Sequence, residues 1–371
     1  MSHFCCYVPN LRFASFDEPL ILCSLQELFN ISAAGDIEKG KVSNIKTDIF
    51  CYPIIGNALT NSGLYGYTDS WKQNNSITVT GRGEIGIAFE RPYKYYPIVR
   101  LLTLKPKGKS DLKYFECLIN SRRILNESTG VPQLTTPQIG KQKYYIVAYE
   151  EQRVIGDLFR KIDERIETQN KIIEKYESLI KQLNDDIFSR GDNSKISDFI
   201  QELSKRNKDG AVTNVLSVSN KNGFVKQSEQ FEDKELASED KTNYKIVQKG
   251  DFAFNPARIN VGSIALLKNQ EIGIVSPMYI CFKAKNIPSE ILESYFSSSS
   301  FKKEMNKRLE GSVRMCLTID GMKNIRFHNP SKKEIDILSR LTKLKELVVI
   351  SKRILDLYNS QKSYLLSNLF I

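Results

Sequence analysis

The chain reads IGDLFRKIDERIETQNKIIEKYESLIKQLNDDI at residues 155–187 and ILSRLTKLKELVVISKRILDLYNSQKSYLLSNL at residues 337–369. In both stretches apolar side chains recur at steps of three and four, and each position of the second lies 182 residues after its counterpart in the first. A repeat of about 3.5 residues, kept for about four heptads, holds one face of a helix against a partner helix. The two stretches therefore predict two long helices that pair lengthwise as a coiled coil, each about 50 Å long at about 1.5 Å per residue.

The apolar seams of the two helices share one register. We predict that these seams consist of Ile155, Phe159, Ile162, Ile166, Ile173, Tyr176, Ile180, Leu183 and Ile187 in the first helix and Ile337, Leu341, Leu344, Val348, Leu355, Tyr358, Leu365 and Leu369 in the second. Lys362 stands where the first helix has Ile180, so we expect the pairing to be weaker, or open to a partner, near the C-terminal end. Gln169 and Ser351 fill matching seam positions, which fits either a device that fixes the register or a tolerated mismatch.

The repeat extends upstream of each helix, so the repeating unit is a globular domain followed by its helix. Residues 25–28 (LQEL) match residues 200–203 (IQEL), and residues 61–64 (NSGL) match residues 221–224 (KNGF). The offset between copies changes from 175 to 160 residues across these matches, as expected if insertions and deletions fall in loops. Short β-rich runs such as residues 76–80 (SITVT) alternate with helix-like stretches, which predicts an α+β fold. The expected bounds are 1–145 for the first globular domain, 146–188 for the central helix, 189–326 for the second globular domain and 327–371 for the C-terminal helix.

Composition restricts the possible functions. The 54 Lys and Arg against 43 Asp and Glu give a net charge of +11, which favours a polyanionic partner, although many basic proteins bind nothing in particular. The seven cysteines form no Cys-x-x-Cys pair, which argues against a zinc site and a disulfide framework. No apolar run reaches the roughly 20 residues of a membrane span, and the first residues lack the pattern of a secretory signal. We therefore expect a cytoplasmic protein that does not bind a membrane.

Three segments approach known catalytic motifs without completing them. Residues 81–86 (GRGEIG) satisfy G-x-G-x-x-G, but the following residues do not read as a helix that would receive a phosphate. Residues 35–42 (GDIEKGKV) resemble a phosphate-binding loop but end in Val instead of Ser or Thr. Residues 255–258 (NPAR) lack the second proline and the aromatic residue of an adenine methyltransferase motif. With only two histidines in the chain, we expect no catalytic site and no metal site.

The order of these segments resembles a known family. Residues 9–13 (PNLRF) and 150–155 (EEQRVI) are similar to the start and to the first helix entry of the specificity subunits of type I restriction-modification systems. A Gly-to-Leu-Thr segment precedes each long helix, at residues 130–135 (GVPQLT) and 311–318 (GSVRMCLT). The second helix entry departs from the family pattern and reads KKEIDI at residues 332–337. The resemblance covers nearly the whole chain and depends on the order and duplication of short motifs.

The resemblance implies a noncatalytic subunit that binds double-stranded DNA. Each globular domain would be a target-recognition domain that reads one half of a bipartite, asymmetric site. The helices would form an antiparallel coiled coil that sets the spacer length and docks two modification (methyltransferase) subunits. S-adenosylmethionine would bind to those subunits, and ATP and magnesium to partner subunits that include the restriction subunits, so no cofactor is expected in this chain. The alternatives are a coiled-coil adaptor that binds proteins without specific DNA binding and, with less support, a metal-dependent nuclease with a divergent site.

Base reading requires Arg, Lys, Asn or Gln at the groove edges of DNA, and phosphate contact requires positive charge and hydrogen-bond donors. The predicted DNA-binding residues are Asn57, Asn61, Tyr65, Tyr67, Lys72, Arg82, Lys94 and Arg100 in the first domain and Asn220, Lys221, Asn222, Arg258, Asn260 and Arg314 in the second. Arg82 and Arg258 are the strongest candidates because each precedes a glycine turn that recurs in both copies, although a solvent-facing structural arginine fits slightly better. Trp71, the only tryptophan, fits a core or edge anchor better than a base-stacking platform.

Overall fold

The structure is a computed structural model that describes residues 8–124, 133–190, 194–220, 222–227, 240–311 and 315–371. The chain divides into two compact units. Unit 1 comprises residues 1–170 and 353–371, and unit 2 comprises residues 171–352. Each unit has its own hydrophobic cores.

Unit 1 is an α+β domain built mainly on antiparallel pairing. Its elements are β1 (Ile21–Ser24), α1 (Leu25–Leu28), β2 (Phe29–Ala33), β3 (Tyr52–Ile55), β4 (Leu64–Thr68), β5 (Ser76–Thr80), β6 (Ala88–Arg91), β7 (Tyr96–Pro97), β8 (Leu101–Pro106), α2 (Leu112–Asn120), α3 (Thr136–Gly140) and β9 (Lys143–Ile146). A four-stranded antiparallel sheet has the order β2-β8-β5-β6, and a second sheet has the order β4-β3-β7. All five residues of β5 are buried because this strand is central in its sheet and α2 covers it.

Unit 2 repeats the main sheet of unit 1. Its elements are β10 (Ile200–Leu203), β11 (Leu216–Ser219), β12 (Gly223–Lys226), β13 (Lys245–Gln248), β14 (Asp251–Phe254), β15 (Ile264–Leu266), β16 (Ile272–Val275), β17 (Ile280–Ala284), α5 (Ser289–Phe296), α6 (Ser299–Asn306) and α7 (Ile319–Lys323). The order β10-β17-β14-β15, again antiparallel throughout, corresponds strand by strand to β2-β8-β5-β6. Phe252 and Phe282 stack across β14 and β17 at 5.0 Å between ring centroids, which makes this core rich in aromatic contacts. The predicted α+β fold with two tandem domains is therefore confirmed.

One of the matched segments differs between the copies. Residues 25–28 form α1, where the Ser24 N–H donates to the Glu27 carboxylate at 2.6 Å in a capping box. Residues 200–203 form β10, which pairs with β17. The counterpart of β10 in unit 1 is β2, which begins at Phe29. The sequence alignment of residues 25–28 with 200–203 is therefore shifted by four residues from the alignment of the two strands. A four-residue pattern is too short to decide between helix and strand, and the capping box decides it in the first copy.

Two long helices complete the fold, α4 (Tyr149–Phe188) and α8 (Lys332–Leu369). In unit 1, Phe159 stacks on Phe370 at 6.1 Å between ring centroids, and Asp163 pairs with Lys362 at 2.6 Å. The number of the partner in or directly after α8 falls as that of the α4 residue rises, so the helical segments of unit 1 are antiparallel. In unit 2, Glu177 pairs with Lys352 at 2.7 Å and Arg190 pairs with Glu334 at 3.0 Å, which gives the same direction. None of the described helices is both long enough and apolar enough to cross a membrane.

The seam prediction agrees with the burial of both helices except at one position. All the predicted α4 seam residues are buried or half-buried, and so are those of α8 from Leu341 onward. The prediction was wrong at Ile337, which is 40% exposed, whereas Leu338 is 2% exposed. The start of α8 explains this difference. Glu334 accepts from the N–H and the hydroxyl of Ser331 in a capping arrangement, and Glu334, Leu338 and Leu341 then lie on the buried face at steps of four and three.

A buried charge cluster joins the first domain to its helices. Lys113 of α2 contacts Glu116 at 2.6 Å and Asp163 of α4 at 2.5 Å, and Asp163 also binds Lys362 of α8. Burial alone would lower the pKa of Lys113, but the two carboxylates outweigh it and raise the pKa. Burial would likewise raise the pKa of Asp163, but Lys113 and Lys362 lower it. Lys362 is therefore an ion-pair partner within unit 1.

Asp163→Asn is expected to destabilise unit 1 by about 3 kcal/mol, because it leaves the buried Lys113 ammonium with one carboxylate instead of two. The folded pKa of Asp163 lies below its unfolded value, so its contribution is present above about pH 4 and is lost as the pH falls through the folded pKa. Urea denaturation at pH 7 and at pH 3 measures both effects. Asp157→Asn is the matched control, since Asp157 is an exposed residue of α4 that pairs with Arg160 and should cost under about 1 kcal/mol. Equal losses for the two variants would contradict the prediction.

Candidate nucleic-acid interface

Unit 1 contains an open groove that we name the tyrosine groove, with a volume of about 610 Å³. Strands β3, β4 and β6 and the segments that follow them supply most of its lining. The lining residues are Lys46, Cys51, Tyr52, Pro53, Ile55, Asn61, Ser62, Leu64, Tyr67, Arg91, Tyr93 and Lys94. Three of these residues are basic, three are tyrosines and none is acidic. A concave surface with aromatic faces and a positive charge suits a nucleic acid.

The groove includes three of the predicted DNA-binding residues, namely Asn61, Tyr67 and Lys94. Tyr65 and Tyr67 lie two residues apart on β4 and therefore point to the same face of the strand, with Tyr65 the more exposed. Lys94 lies 4.9 Å from the ring centroid of Trp71, which is exposed at the edge of the unit rather than in its core. These residues place amide, ammonium and aromatic groups on neighbouring parts of one surface.

Lys72 is exposed, and its ammonium lies 4.4 Å from the ring centroid of Tyr96 in β7. This cation–π contact orients Lys72 but leaves the ammonium accessible to a phosphate group. Lys72 therefore remains a candidate for phosphate contact.

A second cluster of predicted residues surrounds the turn between β5 and β6. The Asn57 amide nitrogen donates to the Arg82 carbonyl at 2.8 Å, and the Asn57 amide oxygen accepts from the Gly81 N–H at 2.6 Å. Both ends of the Asn57 amide are therefore used by the backbone, and its role is to hold the turn rather than to read a base. Arg100 is exposed and adopts a left-handed conformation with φ 69°. After residues 81–86 the chain continues into β6. The helix that a dinucleotide-binding motif requires at this point does not follow, in agreement with the sequence analysis.

In unit 2 the predicted residues gather at two adjoining turns. Asn220 and Asn222 are exposed at the turn between β11 and β12, and Asn260 is exposed in the 3-10 turn Ile259–Val261. Gly262 adopts φ 93°, and a Cβ atom built on it would lie 3.6 Å from the Asn220 Cβ, so the two turns are in contact. Lys221 and Arg314 lie outside the described residues.

Arg258 is exposed beside a cleft of about 290 Å³. The residues that line this cleft are Leu216, Ser217, Val218, Gln227, Tyr244, Asn255, Arg258, Ser263, Ser276, Met278 and Tyr279. No acidic residue is among them, and amide and hydroxyl groups predominate. The cleft can therefore present several hydrogen-bonding groups around one guanidinium.

Sequence reasoning missed Arg91, Tyr52 and Tyr93 of the tyrosine groove. A signal for two of them existed in residues 91–96 (RPYKYY), where basic and aromatic residues alternate directly after a strand. Tyr52 reaches the groove from β3, which is distant in sequence. Its position depends on strand pairing that the sequence pattern does not reveal.

Residues 22–178 match the family model described as the type I restriction modification DNA specificity domain. A putative type I specificity subunit of Mycoplasma pneumoniae is 26% identical over 136 residues, which are 36% of this chain and 38% of that protein. A second putative type I specificity subunit of the same organism is 24% identical over 186 residues, which are 47% of this chain and 55% of that protein. The chain thus spans about half, or less, of the length of these two relatives.

Two solved structures share the fold. The crystal structure of a type I restriction-modification system S subunit from M. genitalium superposes with a TM-score of 0.68 at 15% identity and covers 98% of this chain and 99% of that one. A chain from a structure on complex assembly and conformational transition of the type I R-M system superposes with a TM-score of 0.51 at 9% identity and covers 94% and 97%. The family-model match over residues 22–178 and the shared fold make the chain similar to the specificity subunits of type I restriction-modification systems.

Proposed function

We propose that the chain recognises DNA sequence for a type I restriction-modification complex, with unit 1 and unit 2 each reading one half of a bipartite, asymmetric site in double-stranded DNA. The observation that carries this proposal is the repetition of one sheet topology in two units whose candidate surfaces differ. The tyrosine groove of unit 1 offers cations and aromatic rings, whereas the Arg258 cleft of unit 2 offers amides, hydroxyls and one guanidinium. Two different surfaces on one scaffold suit two different half-sites.

The chemistry would be supplied by partner subunits in this proposal. Two modification subunits would bind S-adenosylmethionine and methylate adenine at N6, and restriction subunits would bind ATP and magnesium and cleave DNA. The family of specificity subunits is noncatalytic, which supports this division of labour. The chain itself would contribute recognition and assembly.

The exposed side of α8 supports a docking role for the helices. We name as the α8 stripe the exposed apolar residues Leu357 and Tyr364, which lie on α8 within unit 1. They are seven residues apart, which is the spacing that a second helix-packing seam requires. Exposed apolar residues in such a row mark a protein–protein contact, and a helical surface of a modification subunit is the occupant that we propose.

Base-resolution mapping of N6-methyladenine in the genome of the source organism, with the gene intact and deleted, tests the proposal. We expect the loss of one bipartite motif that contains a methylated adenine on each strand. An unchanged set of methylated motifs would contradict the proposal. Co-purification of the tagged chain with a methyltransferase subunit would add independent support for the complex.

Arg258→Ala is expected to weaken recognition of the half-site read by unit 2 by about 10- to 150-fold, the effect of losing one good base contact. Methylation of plasmids that carry single-base variants of the motif measures this loss separately for each half-site. Arg326→Ala is the matched control, because Arg326 is an exposed arginine of unit 2 that does not line the Arg258 cleft. Equal weakening at both half-sites would indicate a folding defect instead.

A further inference from the structure

Arg91 in the tyrosine groove is a buried guanidinium with neutral partners. It is 4% exposed. Its Nε donates to the Thr78 hydroxyl at 3.1 Å, Nη1 donates to the Tyr93 hydroxyl at 3.1 Å, and Nη2 donates to the Ser62 carbonyl at 2.5 Å. A guanidinium has five N–H donors, so two remain after these bonds. Across the described part of the chain, no carboxylate forms an ion pair with Arg91.

Burying a cation without a counter-charge is unfavourable, because the cation loses its hydration and the protein interior does not compensate for that loss. The groove around Arg91 adds to the excess of positive charge, since Lys46 and Lys94 also line it and no described acidic residue does. Lys113, which is also a buried cation of unit 1, has two carboxylates within 2.6 Å. The tyrosine groove therefore has the charge of an anion site.

Arg91 also holds the backbone beside a predicted reader. Asn61 and Ser62 both have φ 49°, a left-handed conformation that costs about 1 kcal/mol or more per residue outside glycine. The bond from Arg91 to the Ser62 carbonyl stabilises this turn. An anion that binds Arg91 would therefore also fix the position of Asn61.

We propose that the tyrosine groove binds one phosphate group, with Arg91 as its buried ligand and Lys94 as its exposed ligand, and that its source is the backbone of the bound DNA. This inference rests on the proposed function. Tyr52, Tyr67 and Tyr93 supply hydroxyl donors and ring faces for the attached sugar. Arg91 would bind the phosphate directly and, through its bond to the Ser62 carbonyl, would also position the Asn61 turn.

The first arm of the test uses inorganic phosphate and thermal unfolding of the full chain. At fixed ionic strength, replacing chloride by phosphate is expected to raise the Tm of the wild type, because a ligand that binds only the folded state stabilises it. Lys94→Gln is expected to need about tenfold more phosphate for the same rise, and Arg91→Gln is expected to lose the rise. Lys105→Gln, which removes an exposed lysine of β8 outside the groove, should respond like the wild type.

The second arm measures duplex DNA binding between 50 and 300 mM salt. Lys94→Gln should reduce the slope of log Kd against log salt by about one, and Lys105→Gln should reduce it less. A stabilising effect of phosphate without this change in slope would mean that the groove binds free anions only and would overturn the proposal. Equal responses of Lys94→Gln and Lys105→Gln in both arms would also overturn it. Failure of the wild type to bind DNA in the second arm would refute the proposed function separately, because the first arm needs no DNA.

Discussion

Leu357→Glu combined with Tyr364→Glu is expected to abolish adenine methylation while the isolated chain still folds and binds DNA. Leu357 is 68% exposed and Tyr364 is 60% exposed, so neither contributes much to the core of unit 1. Burial of each side chain against a modification subunit should stabilise the complex by about 1.5–3 kcal/mol. A carboxylate at either position would in addition lose its hydration in the complex. The combined loss of about 3–6 kcal/mol corresponds to a decrease in affinity of about 10²- to 10⁴-fold. Pull-down of the modification subunit and methylation of a plasmid site measure this loss.

The matched control introduces the same charges on another face of the same helix. Asn359→Glu with Ser363→Glu places two carboxylates at exposed positions of α8 that lie away from the α8 stripe. We expect this variant to co-purify with the modification subunit and to methylate normally. Equal loss in both double variants would show that negative charge on α8, rather than the stripe, prevents assembly. Normal assembly of the Leu357 and Tyr364 variant would reject the stripe as the docking surface.

The long helices could be predicted because their information is local and repeated. A heptad seam is recognised from the spacing of apolar residues along one helix. In helices of 40 and 38 residues, a single exception such as Lys362 does not hide that spacing. The prediction was wrong where the helix begins, because at Ile337 the capping contacts of Glu334 with Ser331 outweigh the periodic pattern. The tandem repetition of the domains was likewise visible, since duplicated order survives even where single segments, such as LQEL and IQEL, take different structures.

The candidate site was predictable only in part, because its geometry arises from contacts distant in sequence. Asn57 has the composition of a base reader, yet strand pairing brings it to the backbone of Gly81 and Arg82, which uses its whole amide. In the sequence, Arg91 cannot be distinguished from other basic residues near the end of a strand. Only the fold shows that it is buried, that its partners are neutral and that it supports the turn at Ser62. Residue type therefore identified the region, and the tertiary structure separates the structural amide from the surface groups.

Shortening both long helices by one heptad is expected to shorten the gap between the two half-sites by about three base pairs. The design removes seven residues between Asp163 and Glu177 in α4 and seven between Lys352 and Lys362 in α8, so the ion pairs Asp163–Lys362 and Glu177–Lys352 are kept. Seven residues correspond to about 10 Å of helix, and the duplex rises about 34 Å in 10 base pairs. Methylation of the original motif should fall at least about tenfold, and methylome mapping should recover both half-sequences with a shorter gap.

The register control removes two residues from α4 alone, at the same place. Two residues turn the rest of α4 by about 200°, so the downstream half of its apolar seam would face away from α8. We expect this variant to lose stability and all methylation, whereas the paired deletion keeps activity on a new motif. If the paired deletion methylates the original motif with an unchanged gap, the helices do not set the spacer. The partner subunits would then determine the length of the DNA spacer between the two half-sites. The long helices would serve only to connect the two units.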